Sequence, residues 1–339
     1  MHKFLPLTLN TARDIVRQPV IVMLTVAGIV TMGMLPVVAV FAFGQEERII
    51  RDGAIASCFV YGLFLAVSSS IASISKQIRS GTAESVLAKP VSREIFFCAT
   101  YCGILLVCLF FTAIAAMAAM LSVRMALAGI YTDWLIGKIF AAAVLLAFAG
   151  AAAANYYGQN FYSALFKALF FCLIPALLLA SFFDPDGGLV PLAGHSQAGC
   201  AYCQGQAIHA GVIGHFGEFI QWQLAPVSLL VFGALAMLSA IAVALSTRFA
   251  PAVVFAACCL VFILGLIADY LLLTVAGGSL LARLGAVILP NWQCLWVDEA
   301  HAGSGVLTPA YILKACAYAG LYISGVLCLG VLSFKNMDA

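Results

Sequence analysis

The 339-residue sequence predicts an all-α fold: a polytopic transmembrane helix bundle of about eight spans, with both termini in the cytoplasm. Three observations predict it. Apolar residue types make up 64% of the chain and charged residues only 9%, against roughly 25% charged in a soluble domain. Apolar runs of the roughly 20 residues that a helix needs to cross a hydrocarbon core of about 30 Å recur along the whole chain. Within those runs apolar residues are consecutive and do not alternate, which argues against a transmembrane β-barrel. In lipid the backbone must satisfy its own hydrogen bonds, so the runs read as helices.

The elements follow in order. "MHKFLPLTLNTARDIVRQP" lacks the apolar core and small-residue cleavage site of a signal peptide. It reads as an amphipathic helix with Leu5, Leu9, Ala12 and Val16 on one stripe and Asn10, Arg13, Asp14 and Arg17 away from it, ended by Pro19. Such a helix is expected to lie along the inner membrane surface. The spans are placed at 20–43, 54–74, 95–121, 136–154, 164–183, 224–246, 251–273 and 310–333. The fourth and fifth are joined by "NYYGQNFYS", short enough to suit a bent or re-entrant segment instead. Pro36 and Pro175 interrupt the first and fifth spans and are expected to kink them. "AAAVLLAFAGAAAA" (141–154) and "ACAYAGLYISG" (315–325) supply the small residues of tight helix packing.

Lysine and arginine set the orientation. With both termini inside, Lys3, Arg13, Arg17, Lys76, Arg79, Lys89, Arg93, Lys167, Arg248 and Lys335 face the cytoplasm, and only Arg48, Arg51, Arg124, Lys138, Arg283 and Lys314 lie on the other side. Nine of the fourteen acids fall outside, and Asp269 falls within the seventh span. The largest gaps between spans, 184–223 and 274–309, are then both external loops. The whole chain, 1–339, forms one membrane domain, and the expected location is the inner, cytoplasmic membrane. No Walker-type phosphate loop occurs. A nucleotide that drives this chain would be bound by another one.

One polar island interrupts the apolar pattern. "KQIRSGTAESVLAKPVSREIF" (76–96) carries four of the sixteen basic residues between two spans. A short helix over about 75–88, broken by Pro90, would present Ile78, Val86 and Leu87 as apolar contacts and Lys76, Arg79 and Glu84 as a polar rim. That suits docking to a soluble partner. The plainer alternative is that these cations only mark the cytoplasmic face.

The stretch "SISKQIRSGTAESVLAKPVSR" (73–93) resembles the cytoplasmic coupling segment of type 2 ABC transporter permeases. Gly81, Thr82, Leu87, Lys89, Pro90, Val91, Ser92 and Arg93 match that pattern, and Gln77 stands where many members carry Glu. "ALSTRFAPAVV" (244–254) is similar to the family's short turn between late spans, "LPNWQCLWVDEA" (289–300) to its external loop before the last span, and "LSFKNMD" (332–338) to its usual ending. The region 125–220 looks like an added hairpin and outer loop.

The resemblance implies a single permease domain that pairs with a second permease subunit, identical or not. A separate ABC ATPase would dock on residues 75–94. The implied coupling residues are Lys76, Gln77, Arg79, Gly81, Thr82, Glu84, Leu87, Lys89, Pro90 and Arg93. The expected activity is export of a substrate. The chain itself shows no nucleophile–base set, so it is expected to be no enzyme and to carry no catalytic residue, with ATP hydrolysis on the partner. No bound cofactor and no nucleic-acid partner are expected; the lipid bilayer is the other partner.

Two features point elsewhere. Asp269 is an ionisable group in a span, a candidate for the pathway, and the centre of a rival reading as an ion-coupled secondary carrier. "HSQAGCAYCQGQAIHAGVIGH" (195–215) gathers His195, Cys200, Cys203, His209 and His215. By residue type these suit zinc or copper, although the spacing departs from that of zinc fingers. Three readings stay open for this loop: a disulfide or ordinary structure, a structural metal, or metal handling as the function. The last would make the chain a permease component of an extracytoplasmic copper-site maturation system.

Overall fold

The computed structural model describes residues 4–39, 46–79, 93–126, 133–183, 217, 219–270, 289–295 and 308–335. Among them are nine helices: α1 (Phe4–Val16), α2 (Pro19–Val38), α3 (Glu46–Arg79), α4 (Arg93–Ala126), α5 (Trp134–Tyr156), α6 (Phe161–Ala180), α7 (Leu224–Ser246), α8 (Pro251–Tyr270) and α9 (Pro309–Lys335). Seven of these, α2 to α7 and α9, are long and apolar enough to cross a membrane, and α8 contributes a shorter apolar stretch, Pro251–Ile267. The chain is a multi-pass membrane protein.

Proline 19 does more than end α1. It opens α2, where its missing N–H costs nothing because the first helical N–H has no partner anyway. α2 and α6 run through Pro36 and Pro175.

Helices α3 and α4 each run for 34 residues, about 50 Å at 1.5 Å per residue. They therefore outrun the apolar stretches that mark them in the sequence. α3 begins at Glu46, eight residues before the expected span, and ends at Arg79. The polar turns at both ends have no need of lipid and simply continue the helix.

The link between α5 and α6 is settled by its caps. Tyr157 and Gly158 close the end of α5 on Ala153 and Asn155, with Gly158 at φ +81°, a conformation that glycine alone adopts freely. The Asn160 side chain then accepts from the Ser163 N–H and starts α6. The capped turn joins helices of 23 and 20 residues, each long and apolar enough to cross a membrane. Their inward residues repeat at helical spacing: Ile136, Phe140, Ala143, Ala147 and Ala151 on α5, and Leu165, Phe166, Leu169, Leu173 and Ala176 on α6. The two helices pack against each other along the hairpin. On α9 the expectation of tight packing holds only for Ala315 and Ala319, which are buried; at Gly320 and Gly325 an added Cβ would meet nothing within 4 Å.

The described chain forms two compact units, and the boundary between them falls within α2, α3 and α4. One unit holds residues 28–57 and 114–224. Its core joins Ala39, Ile50, Met120, Val123, Ala126, Ile220 and Leu224, and Ser122 Oγ donates to Met32 O at 2.6 Å, tying α4 to α2. The other holds residues 1–27, 58–113 and 225–339.

The first helix packs on the protein through one face. Its buried face is Thr8, Thr11, Ala12, Ile15 and Val16, an i, i+3, i+4, i+7 pattern. Of the stripe expected to lie along the membrane surface, Ala12 and Val16 are on this buried face, while Leu5 and Leu9 are 65% and 50% exposed. Thr8 and Thr11 can be buried because their hydroxyls donate to Phe4 O and Leu7 O one turn back.

Candidate functional site

The candidate site is the pair of helix ends that carry the polar island. Lys76, Gln77 and Arg79 fall on the last turns of α3, and Arg93 opens α4. Gly81, Thr82, Glu84, Leu87, Lys89 and Pro90 lie outside the described residues. The short helix expected over 75–88 is not separate from the span at its start: residues 75–79 prolong α3 without a break.

Behind the island, α3 and α4 are both fastened to α7. A Cβ added at Gly62 of α3 would stand 2.5 Å from Leu235, so the glycine is what lets α7 come so close. Two turns on along α3, Ser70 Oγ reaches Ser239 O at 3.5 Å while donating at 2.7 Å to Ala66 O. From α4, the Tyr101 hydroxyl donates to Ala236 O at 2.9 Å and is buried. Three anchor points therefore fall within residues 235–239 of α7.

The first three turns of α4 also meet α9 and α1. A Cβ at Gly330 of α9 would lie 2.7 Å from the Phe97 ring, and one at Gly103 of α4 would lie 2.8 Å from Thr11 Cβ and 2.9 Å from Thr8 O. Positions 97 and 101 share one face of α4, while 103 lies on nearly the opposite face at 100° per residue. α4 is thus gripped from two sides as it leaves the island, by α7 and α9 on one and α1 on the other.

Two further stretches singled out in the sequence are brought into contact. Arg248, in the turn after α7, donates through Nε to Ser333 Oγ at 2.8 Å and through a terminal nitrogen to Ser333 O at 3.2 Å. The second contact satisfies a carbonyl in the last turn of α9, which has no partner within its own helix. The 289–295 segment packs on α3, α8 and α9. Trp292 is 1% exposed, its ring centroid lies 6.2 Å from those of Phe59 and of Phe262, and its Nε1–H donates to Phe262 O at 3.1 Å. The Asn291 N–H donates to Tyr318 Oη and Tyr311 Oη donates to Cys294 O.

The remaining candidates fall differently. Asp269 is on the last turn of α8, and its side chain lies outside the described residues. His195, Cys200, Cys203, His209 and His215 lie wholly outside them. Among the described residues no three His, Cys, Asp or Glu side chains gather as a metal site.

Sequence reasoning missed one charged cluster. Arg124 and Asp133 read as separate charges on the far side of the membrane, but they form a buried ion pair at 3.1 Å. The available signal was an acid at the helix-start position, just ahead of an apolar run, nine residues past an arginine at the end of the previous run. No family model, no curated protein and no solved structure matches this chain.

Proposed function

We propose that this chain is the membrane-spanning subunit of an ATP-driven transporter of the type 2 ABC permease kind. It exports its substrate from the cytoplasm, and a separate ATPase docks on the 75–94 segment. The segment faces the cytoplasm by the distribution of Lys and Arg. It receives the displacement produced when a pair of ATPase subunits closes on ATP. A second permease subunit completes the pathway.

The observation that carries this reading is the grip on α4. Residues 97, 101 and 103, within about 15 Å of Arg93 at 1.5 Å per residue, touch α9, α7 and α1. A push delivered to the start of α4 therefore reaches three other helices. Charge composition supports the same face: Lys76, Arg79, Lys89 and Arg93 offer cations to an acidic partner surface.

The test is capture, by the purified chain, of an ABC ATPase chosen by its Walker motifs from the genes neighbouring this one. Arg79→Glu with Lys89→Glu should cut capture several-fold, and Lys138→Glu on α5 should leave it unchanged. Undiminished capture by the first pair removes the docking claim. Labelling of a Lys76→Cys variant by an impermeant thiol reagent from the non-cytoplasmic side, above the level of the unsubstituted chain, would remove the orientation as well.

The His/Cys stretch at 195–215 favours a second reading, in which the same permease architecture serves maturation of an extracytoplasmic copper site. Bound copper or zinc in the purified chain, lost on His209→Ala with His215→Ala, would support it; metal at background level counts against it.

A further inference from the structure

The Arg124 cluster sits in the unit formed by residues 28–57 and 114–224, and no step of the transport reading uses it. We propose that Arg124 is a latch: its guanidinium fixes both legs of the α5–α6 hairpin to the C-terminal end of α4, so that these helix ends move as one body. This inference stands whether or not an ATPase drives the chain.

Four contacts carry it. One terminal nitrogen of Arg124 donates to Asp133 Oδ2 at 3.1 Å, and the other donates to Phe183 O at 2.9 Å. Asp133 begins the first leg of the hairpin and Phe183 follows the second. The guanidinium carbon lies 5.6 Å from the centroid of the Phe219 ring, in reach of a cation–π contact. The Asp133 backbone N–H donates to Met125 O at 2.9 Å, so the acid is tied to α4 through its main chain too.

The two carboxylate oxygens of Asp133 have divided duties. Oδ2 takes Arg124, while Oδ1 caps α5 by accepting from the N–H groups of Leu135 and Ile136 at 3.0 and 3.3 Å. The arginine that holds α4 thus grips the same group that starts α5. Both side chains are almost fully buried, 0% and 5% exposed.

A hairpin in lipid gains little from burying apolar surface, because the lipid tails are as apolar as its own residues. On the hairpin Leu145, Leu146, Phe171 and Leu179 are indeed exposed. What distinguishes one docking position from another must be close packing and polar contacts. Close packing is present beside the pair, where a Cβ on Gly137 would stand 3.0 Å from Met125 Cε. As a source of stability a buried ion pair is often no better than an apolar pair of similar size, whereas removal of one member leaves a bare buried charge. The role assigned here is selection of where the hairpin docks.

The test uses the full-length chain with a Met125→Cys, Gly137→Cys pair, cross-linked by a short thiol-reactive linker and read by mass spectrometry of the α4–α5 peptide. Thermal unfolding in detergent is measured in parallel. Asp133→Asn is the informative single variant, since asparagine still caps a helix but brings no charge. It should lower cross-linking several-fold and lower the unfolding temperature. Arg124→Met should do the same. The double variant, Arg124→Met with Asp133→Asn, leaves no bare charge, so it should recover the unfolding temperature while cross-linking stays low. Recovery of cross-linking to the parental level in the double variant overturns the latch, because the pair would then serve charge balance alone. If Arg124→Met does not accumulate, Arg124→Lys supplies the comparison: one ammonium cannot reproduce the two-armed grip, and parental cross-linking with lysine also overturns the proposal.

Discussion

Replacing Gly265 by alanine separates two physical effects of opposite sign. In a helix interior alanine is favoured over glycine by about 0.8–1.0 kcal/mol, so propensity alone predicts a more stable α8. The surroundings predict the reverse. A Cβ at position 265 would stand 2.5 Å from Pro290 O and closer still to Trp292 Nε1, inside the 3.0 Å that real Cβ contacts essentially never breach. Neither neighbour is a flexible side-chain tip: one is backbone, the other a ring that is 1% exposed. Relieving such an overlap costs about 1–3 kcal/mol. The displaced indole also loses its hydrogen bond to Phe262 O, and leaving a buried donor unmet costs about 1–3 kcal/mol more. After the propensity gain is subtracted, the net loss is about 1–5 kcal/mol. At roughly 2–4 °C per kcal/mol for a domain of 150–250 residues, unfolding in detergent should come several degrees lower, with a red shift of the Trp292 contribution to fluorescence as the ring leaves its site. Introducing Trp292→Ala first should remove most, though not all, of the penalty, since Pro290 O remains in the way. An unfolding temperature equal to or above the parent would refute the claim that the 289–295 segment is seated on α8 at this glycine.

Three other expectations use different contacts. Gly103→Ala places a methyl 2.9 Å from Thr8 O, so α1 should be pushed off α4 and limited proteolysis should cut the N-terminal 20 residues faster, with a thermal loss of about 1–3 kcal/mol; unchanged proteolysis would mean that α1 is held elsewhere. Tyr101→Phe removes the hydroxyl that reaches Ala236 O and should cost about 1 kcal/mol, read as a small drop in unfolding temperature, whereas no drop would show the α4–α7 link to be packing alone. Gly150→Ala meets nothing within 4 Å, so propensity should act unopposed and raise stability by up to about 1 kcal/mol; a loss there would mean that a neighbour approaches α5 at Gly150.

Some of this was open to sequence reading and some was not, for reasons tied to the solvent. α7 occupies residues 224–246, the span expected from the sequence, because its apolar run is bounded by Pro226 near its start and by the Thr247–Arg248 turn at its end. α3 and α4 were recognised, but their lengths were not. Hydropathy records where an apolar run ends, whereas Glu46–Arg51 and Lys76–Arg79 hold mostly good helix formers that carry the helix beyond it. Which side of α1 meets the protein is not legible for the same reason. Leu5 and Leu9 are apolar but exposed, since a helix at a membrane has an apolar solvent as well as an apolar protein neighbour. Thr8 and Thr11 were passed over although a hydroxyl that donates one turn back is cheap to bury. In the candidate site, the polarity and sign of the 75–94 segment could be read from composition. Its backing could not: Gly62, Gly103 and Gly330 look alike in sequence to Gly320 and Gly325, and only the first three stand against a neighbour.

The intramembrane polar groups divide by what their hydrogen bonds join. Ser69, Ser73, Thr100 and Thr112 donate to carbonyls three or four residues back on their own helix. Such bonds neutralise a hydroxyl and bind no second helix, so these side chains can slide past a neighbour at little cost. Tyr101 differs, because its donor and acceptor sit on α4 and α7; movement between those helices must break that bond in an environment without water to replace it. α4 is therefore expected to move with α7, and with the α9 end that packs on Phe97, more readily than against them. If ATP closure does act at the island, α4 and α7 are expected to travel together. A cysteine cross-link joining α4 to α7 beside Tyr101 should then leave transport intact. Loss of transport on forming that link would show that the two helices separate during the cycle.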